Sequence, residues 1–293
     1  MLLSVRKVIQ KLALTAILGA FALLLLFPVG VTVVNSFMST REIAINYGPV
    51  GQMNDVTPGR SDPFANLKWL PDQVSLEQYG KVLLDSPLYL SMFWNSLFLV
   101  VPIIAGQTLV AALAAYAFSK LRFRGREFLF LIYVLTMLMP FQVTLVPNYI
   151  MADRLGLLNS SGAIILPGIF AAFGVFMLRQ FMQDIPYAYI EAAKMDGAGH
   201  WRIFCTIIVP MVQPGLAALT ILLFADYWNM VEQPLIFLDD PLRQPLSVYL
   251  SNVSSERGLA FAASALYMAP MVLLFLYAET YFIEGIQLSG IKG

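Results

Sequence analysis

Six long apolar runs constrain the fold of this chain more than any other feature. A helix that crosses the hydrocarbon core of a bilayer needs about 20 mostly apolar residues, because its backbone must satisfy its own hydrogen bonds there. Hydrophobic residues make up 59% of the sequence, more than in an average soluble domain. The runs that are long enough lie at residues 12–34, 92–118, 128–150, 163–181, 206–228 and 262–284. We therefore predict an all-α integral membrane protein with six transmembrane helices.

The first run poses a choice between a cleaved signal peptide and a retained anchor. Arg6, Lys7 and Lys11 precede it, which fits either kind of segment. The run is longer than the 7–15 apolar residues of a typical signal peptide, and no small-residue cleavage pattern follows it. We favour the anchor.

The distribution of Lys and Arg predicts the orientation, because short cytoplasmic segments carry an excess of both. With the N-terminus in the cytoplasm, eleven of the 18 Lys and Arg residues fall on the cytoplasmic side. The densest cluster is residues 120–126, between the second and third runs. Six spans then return the C-terminus to the cytoplasm.

The runs and this orientation divide the chain into three parts. They are the cytoplasmic N-terminus with the first span at 1–34, an extracytoplasmic loop with a short helix at 35–91, and a five-span core at 92–293. Within the loop, residues 75–78 have the Ser-x-x-Gln pattern of a capping box. The core includes a cytoplasmic segment at 183–205 and a second long outer segment at 229–261, which is rich in Pro and polar residues.

Polar side chains within the runs are candidates for lining a path through the membrane. Ionisable groups there are expensive and are functional candidates by default. Asp226, near the outer end of the fifth run, is the clearest, and Glu279 lies in the sixth. The neutral candidates are Asn95, Gln107, Gln142 and Asn148. The alternative is hydrogen bonding between helices, which averages about 0.6 kcal/mol per bond, and for any one residue we favour that structural role.

Charge and residue content exclude several other classes of protein. The formal net charge is zero, so no basic surplus indicates a nucleic-acid partner. Cys205 is the only cysteine and His200 the only histidine, which argues against a zinc site and against a catalytic Cys–His or Ser–His pair in the bilayer. We predict no metal site and no catalytic residues.

The segment at 183–205 has the pattern of a helix, a turn and a second helix. Residues 187–195 are good helix formers, and 196–199, Asp-Gly-Ala-Gly, form a turn signal. Ala188, Ala192 and Met195 share one face of the first helix by their spacing. That small, mildly apolar face suits a groove on another protein. An interfacial helix lying on lipid headgroups fits the same pattern equally well.

A longer motif surrounds this turn. Glu191-Ala192-Ala193 is followed by Gly197 and then by Ile207, Val209 and Pro210. This run resembles the EAA signature of binding-protein-dependent ABC importer permeases, with Val209 where Leu is usual. The flanking sequences resemble the six-span subunit of the carbohydrate, maltose-type subgroup; they are 95–97, 114–118, 122–126, 155–159 and 292–293.

The resemblance implies that the 183–205 segment is a coupling helix seated in a cleft of an ATPase subunit. Glu191 would be its acidic anchor, Ala192 and Ala193 would allow close packing, and Gly197 would set the turn. The turn residues Asp196, Ala198 and Gly199 complete the implied ATPase-coupling set. The 229–261 segment would contact a solute-binding protein, and the tail at 290–293 would reach the ATPase.

The resemblance also implies the partners and the chemistry. The chain would be one permease subunit of a bacterial inner-membrane importer, with a second homologous permease subunit, two ATPase subunits and an extracytoplasmic solute-binding protein. No phosphate-binding loop occurs in the sequence, so ATP and Mg are expected on the ATPase, and this chain is expected to need no cofactor. The implied solute is a sugar or oligosaccharide. Trp228 and Asn229, with Tyr227, offer an aromatic and amide surface for it, or serve as interfacial anchors.

Two other classes of membrane protein fit the sequence less well. Ion-coupled secondary transporters often show inverted repeats and charges at the membrane midplane, and neither is evident here. An intramembrane enzyme would need catalytic groups that the runs lack. In the outer segment at 229–261, Glu232 places a charge where the family that this chain resembles usually has an apolar residue.

Overall fold

The protein is helical wherever its structure is described. The computed structural model describes residues 2–47, 68–252 and 257–290, and within these ranges every regular element is a helix. The predicted all-α membrane fold is confirmed. The longest helices are α1, Leu2–Asn35, α4, Pro87–Lys120, and α15, Arg257–Gly290, each of 34 residues; α2, Thr40–Tyr47, and α3, Glu77–Gly80, lie between α1 and α4.

The remaining helices follow α4 along the chain. They are α5, Arg126–Met137; α6, Phe141–Arg154; α7, Gly162–Ile169; α8, Ala172–Gln183; α9, Ala188–Met195; α10, His200–Ile203; α11, Val209–Met211; α12, Gln213–Trp228; α13, Glu232–Phe237; and α14, Leu246–Asn252. Short π-helical turns precede α4, at Lys81–Asp85, and α11, at Phe204–Ile208. A 3-10 turn, Pro241–Arg243, precedes α14.

Four apolar helical stretches are long enough to cross a membrane, and two bent pairs of helices raise the number to six if each pair is one span. The predicted run at 128–150 is the pair α5–α6, bent by 100°. The predicted run at 206–228 belongs to a pair bent by 74° before α12. These two runs are therefore not single straight helices.

A proline lies at each of the two bends. Pro140 lies between α5 and α6 with φ −58° and ψ 139°, an extended conformation. It has no N–H to donate, and its ring disfavours helical geometry at Met139 before it. At the second bend, Pro214 occupies the first turn of α12, where a missing N–H costs nothing, directly after Val212 and Gln213.

One compact unit comprises residues 1–89 and 252–268. Residues 10–30 of α1 are exposed throughout, as expected for a helix whose solvent is lipid. Beyond α1, the side chains of Met38, Ile43 and Tyr47 form a small buried cluster against Phe261. Glu42 is buried beside them and accepts a hydrogen bond from the Asp72 backbone N–H at 2.8 Å.

The short helix expected in the outer loop begins at Glu77, but without the predicted capping box. Ser75 Oγ accepts from the Glu77 N–H at 3.2 Å, while Gln78 Nε2 donates to Thr40 Oγ1 at 3.0 Å instead of turning back to Ser75. Lys81 Nζ lies 2.9 Å from Glu77 Oε1, and this contact holds the pKa of Glu77 below its usual value. The hydrogen-bond partner of Gln78 is thus Thr40, which lies outside the capping-box pattern at 75–78.

The second compact unit comprises residues 90–251 and 269–293. Its helices approach closely through glycines, as in many membrane bundles. A Cβ at Gly106 of α4 would lie 2.6 Å from Ile169 Cγ1, and one at Gly174 of α8 would lie 2.9 Å from Ala111 Cβ. Side chains larger than hydrogen at these positions would push α4 away from α7 and α8.

The outer segment after α12 is folded and contains the helices α13 and α14. Asn159, at φ 60°, joins it to the turn before α7. Its Nδ2 donates to Asp239 Oδ2 at 2.7 Å, its Oδ1 accepts from the Asp239 N–H at 2.6 Å, and its carbonyl accepts from Arg243 Nη1 at 2.8 Å. Residues 253–256 of the predicted segment lie outside the described residues.

Candidate functional site

Helix α9 divides cleanly into a buried and an exposed face. Ile190 and Ala193 are buried against the rest of the chain. Ala188, Ala192 and Met195 are exposed, and Met195 is exposed to 89%. The predicted small face is therefore exposed to solvent, and Glu191 is exposed beside it.

The turn after α9 is a Schellman motif built on Gly197. Gly197 has φ +79°, in the left-handed region that glycine adopts without strain. Its N–H donates to the Lys194 carbonyl at 3.0 Å, and the Ala198 N–H donates to the Ala193 carbonyl at 2.9 Å. These bonds satisfy the last carbonyls of α9 and end the helix abruptly. Asp196 and Gly199 flank the turn and are exposed.

The start of α9 is fastened to the end of α4. Lys120, the last residue of α4, is 6% exposed, and its Nζ donates to the Ile185 carbonyl at 2.6 Å and to the Gln183 carbonyl at 3.4 Å. The Arg122 guanidinium lies 5.3 Å from the centre of the Tyr187 ring, directly before α9. A displacement of α9 would therefore disturb these contacts and move the end of α4.

The helix after the turn is fastened to α4 as well. Tyr116 OH lies 3.0 Å from His200 Nδ1, and the Tyr116 ring packs against Phe204 at 5.4 Å. His200 thus has a packing and hydrogen-bonding role. Cys205 is exposed.

Arg179 of α8 is a structural residue that the sequence analysis missed. It is buried, its Nη2 lies 2.9 Å from Glu127 Oε2, and its Nε donates to the Phe118 carbonyl at 3.4 Å. Its guanidinium stacks on Phe130 at 3.8 Å, a cation–π contact. The signal that could have identified it is its position as a charged residue inside the predicted 163–181 span.

Two path candidates, Asp226 and Asn229, line one cavity at the end of α12, and a third, Gln142, is hydrogen-bonded to a residue of its lining. The cavity measures about 540 Å³ and is lined by Phe141, Ala225, Asp226, Tyr227, Asn229, Met230, Val231, Glu232 and Gln233. Gln142 Nε2 donates to Glu232 Oε2 at 3.3 Å, which links the bend before α6 to this cavity. The structure thus brings the path candidates Asp226, Asn229 and Gln142 together. Glu232 lies with them, although the sequence did not mark it as a path candidate.

The other path candidates lie elsewhere. Asn95 Nδ2 donates to the Leu242 and Gln244 carbonyls at 2.7 and 3.2 Å, which holds the outer segment to α4. Trp228 is 1% exposed and stacks on Phe224 at 5.1 Å. Asn148 lines a separate pocket of about 310 Å³.

Gln107 and Glu279 complete the candidates. Gln107 is 1% exposed, and neither of its side-chain polar atoms has a hydrogen-bond partner among the described residues. Glu279 is exposed near the end of the described side chains of α15. Within the described ranges, no group of three His, Cys, Asp or Glu side chains is placed to hold a metal ion.

The described residues are those of a multi-span helical membrane protein in which an exposed short helix, α9, is fixed to the end of α4. Residues 89–287 match the protein family described as binding-protein-dependent transport system inner membrane component. The chain belongs to this family. It is a multi-pass inner-membrane protein and a permease subunit of an ABC importer. Permeases of this kind work together with an ATPase and a solute-binding protein, which are therefore the partners of this chain.

Named relatives agree with this assignment. The chain is 31% identical to the arabinooligosaccharides transport system permease protein AraQ of Halalkalibacterium halodurans, over 76% of this chain and 81% of that one. It is 32% identical to the lactose transport system permease protein LacG of Rhizobium radiobacter, over 71% and 76%. These relatives are named as transport permeases, not as enzymes.

A solved structure agrees as well. A chain from the crystal structure of a bacterial ABC transporter involved in the import of the acidic polysaccharide alginate superposes with a TM-score of 0.76. The match has 26% sequence identity and covers 94% of this chain and 96% of the other.

Proposed function

We propose that this permease subunit imports a sugar or oligosaccharide that an extracytoplasmic solute-binding protein delivers. The names of the relatives support this, because they specify arabinooligosaccharides and lactose, and the similar structure concerns alginate. The cavity with Asp226, Tyr227 and Asn229 supports it chemically, since carboxylates and amides pair with hydroxyl groups and aromatic rings pack on sugar faces. This cavity is the proposed part of the path on this subunit.

The second part of the proposal is that α9 couples the spans to the ATPase. The observation that carries it is the division of α9, with one face buried in the bundle and the other exposed. A short helix held in this way moves as a rigid body, so an ATPase whose cleft differs between its states can bias the spans. ATP and Mg belong to that ATPase.

The contacts refine the roles of the coupling residues. Ala193 packs against its own chain, so Ala188, Ala192 and Met195 with Glu191 form the face that meets the ATPase. Gly197 with Asp196, Ala198 and Gly199 forms the turn that ends α9.

A helix lying on lipid headgroups is the competing interpretation of α9. Such a helix presents large apolar side chains on one side and Lys or Arg on the other. The face formed by Ala188, Ala192 and Met195 has the carboxylate of Glu191 beside it, and the exposed Tyr189 and Lys194 flank it on the helix. The small size of this face and its acidic neighbour favour a protein groove over an anionic membrane surface.

The proposed assembly has this chain and a second homologous permease on two ATPase subunits, with both termini of this chain in the cytoplasm. Six spans enclose at most half of a path, which is why a second permease is expected. The proposal keeps the division of the chain into an N-terminus with the first span at 1–34, an extracytoplasmic loop at 35–91 and a five-span core at 92–293.

Cysteine crosslinking tests the coupling role directly. In a Cys205→Ser background, Ala192→Cys places a thiol on the exposed face of α9, and Ala193→Cys places one on the buried face. A short crosslinker with a maleimide at one end and a photoreactive diazirine at the other is attached to the thiol and then irradiated, so that the diazirine can insert into any nearby residue. It should join Ala192→Cys to the ATPase in membranes, and Ala193→Cys should give no such product. If neither thiol reaches the ATPase while the subunits still co-purify, the coupling role of α9 is wrong. Equal crosslinking from both positions would contradict the orientation of α9.

A further inference from the structure

The turn between α4 and α5 forms a concave basic pocket. Its volume is about 650 Å³, and its lining residues are Arg122, Phe123, Arg124, Gly125, Arg126, Glu127 and Phe128. Gly125 has φ +86°, which folds the chain back so that the arginines before and after it line the same hollow. We call this hollow the α4–α5 pocket.

The charges of the α4–α5 pocket are not balanced. Glu127 is its only carboxylate, and two arginines share it: Arg126 Nη2 lies 2.7 Å from Oε1, and the buried Arg179 contributes Nη2 at 2.9 Å from Oε2. Arg122 stacks on the Tyr187 ring, which supplies no countercharge. Arg124 is exposed and has no ion pair within the described residues. A surplus of positive charge therefore faces the hollow.

The pocket lies where two apolar helices leave the hydrocarbon. The apolar stretch of α4 ends at Lys120, and that of α5 begins at Arg126. Phe128, Ile132 and Leu135 follow at helical spacing on α5 and are exposed to 66%, 42% and 54%. A polar hollow thus opens beside a continuous apolar stripe that runs into the membrane.

We propose that the α4–α5 pocket binds the phosphate headgroup of an anionic membrane lipid, whose acyl chain lies along the exposed stripe of α5. Guanidinium groups match phosphate oxygens with paired hydrogen bonds, and basic pockets at membrane surfaces attract anionic headgroups. Arg124 is the principal ligand because its charge is free, and Arg122 is the second. The alternative is that the arginines serve only to set the orientation of the chain in the membrane. That role requires their positive charge but neither the pocket nor the exposed apolar stripe beside it.

Native mass spectrometry of the full-length protein, purified with its co-purifying subunits in mild detergent, tests the proposal. The purified complex is titrated with phosphatidylglycerol and, separately, with phosphatidylcholine. The wild type should retain phosphatidylglycerol in clear preference. Arg124→Gln should weaken that retention about fivefold, as expected for one arginine near a membrane surface. Arg124→Lys should weaken it less.

Arg154→Gln is the matched control, because Arg154 is an exposed arginine at the end of α6, outside the pocket. It should leave retention unchanged. Arg122→Gln is a second variant for the same site and should also weaken retention. The proposal is overturned if Arg124→Gln and Arg154→Gln behave alike, or if phosphatidylcholine is retained equally well. Full displacement of the lipid by millimolar inorganic phosphate would also overturn it, since the site would then be a free-anion site.

Discussion

At the residue scale, Gly197 is the position whose identity follows most directly from the backbone. The turn at 196–199 was predicted from sequence, and the structure confirms it, with Gly197 in the left-handed region. A Cβ at Gly197 would meet nothing within 4 Å, so only the backbone conformation opposes a side chain there. The strain of that conformation for an L residue is about 1–2 kcal/mol.

Replacing Gly197 by Ala should therefore impair transport without blocking membrane insertion. The strain weakens the Schellman turn, so the last turn of α9 becomes less well ordered. We therefore expect uptake of the transported sugar to fall several-fold while the amount of protein in the membrane stays normal. Gly199→Ala is the matched control, because Gly199 has φ −73° and open space around its Cα. Radiolabelled uptake and immunoblotting of membranes measure both effects. Equal uptake in the two variants would contradict the role of the turn.

Other residues of the site show what sequence cannot supply. Helical spacing placed Ala188, Ala192 and Met195 on one face, and the structure leaves that face exposed. The pattern did not show that Ala193 packs inward, because periodicity defines faces but not which neighbour each face meets. Asn95 was marked as polar within a span, yet its partners are carbonyls about 150 positions later in the chain.

At the element scale, the prolines show how far a helix can be predicted. Pro140 and Pro214 lie at bends of 100° and 74°, whereas five other prolines in the spans lie inside helices that continue past them. Those prolines are Pro28, Pro102, Pro147, Pro167 and Pro270. The local chemistry is the same in each case, so the outcome depends on whether neighbouring groups satisfy the freed carbonyls. That information lies outside the local sequence.

The attachment of α9 to α4 belongs to the same scale and depends on Lys120. Its ammonium donates to two carbonyls just before α9, and a hydrogen bond to a charged group contributes about 2 kcal/mol. Lys120→Met should therefore loosen residues 184–195. We expect their amide hydrogen exchange to become about 10–30-fold faster, since each 1.4 kcal/mol corresponds to a factor of ten.

Two comparisons control this measurement. Amides of α6, which Lys120 does not contact through these bonds, should exchange at the wild-type rate in Lys120→Met. Lys120→Arg keeps the charge and should recover much of the protection of α9. Unchanged exchange in residues 184–195 of Lys120→Met would show that the buried side chains of Ile190 and Ala193 hold α9 without the lysine.

At the scale of the whole molecule, the apolar runs predicted the membrane class and the positions of the spans, because length and hydropathy are properties of each run by itself. The outer segments were harder to predict. The segment at 35–91 was predicted as a loop with one short helix, but it also contains α2, in which Glu42 is buried. The segment at 229–261 was marked only as rich in Pro and polar residues, and it contains α13 and α14. The tail residues Ile291 and Lys292 lie outside the described residues, so their expected contact with the ATPase stays a prediction.

The orientation of the whole chain is a prediction from its lysines and arginines, and its single cysteine makes it testable. With both termini in the cytoplasm, Cys205 faces the cytoplasm, and Leu242, which is 62% exposed in the outer segment, faces outward. A membrane-impermeant maleimide should label wild-type Cys205 only after spheroplasts are permeabilised. In a Cys205→Ser background, Leu242→Cys should be labelled in intact spheroplasts. Labelling after denaturation checks that each thiol is reactive, so a thiol covered by a partner subunit is recognised. The reverse pattern would place α9 outside, where no ATP is available, and would remove the basis for coupling through this helix.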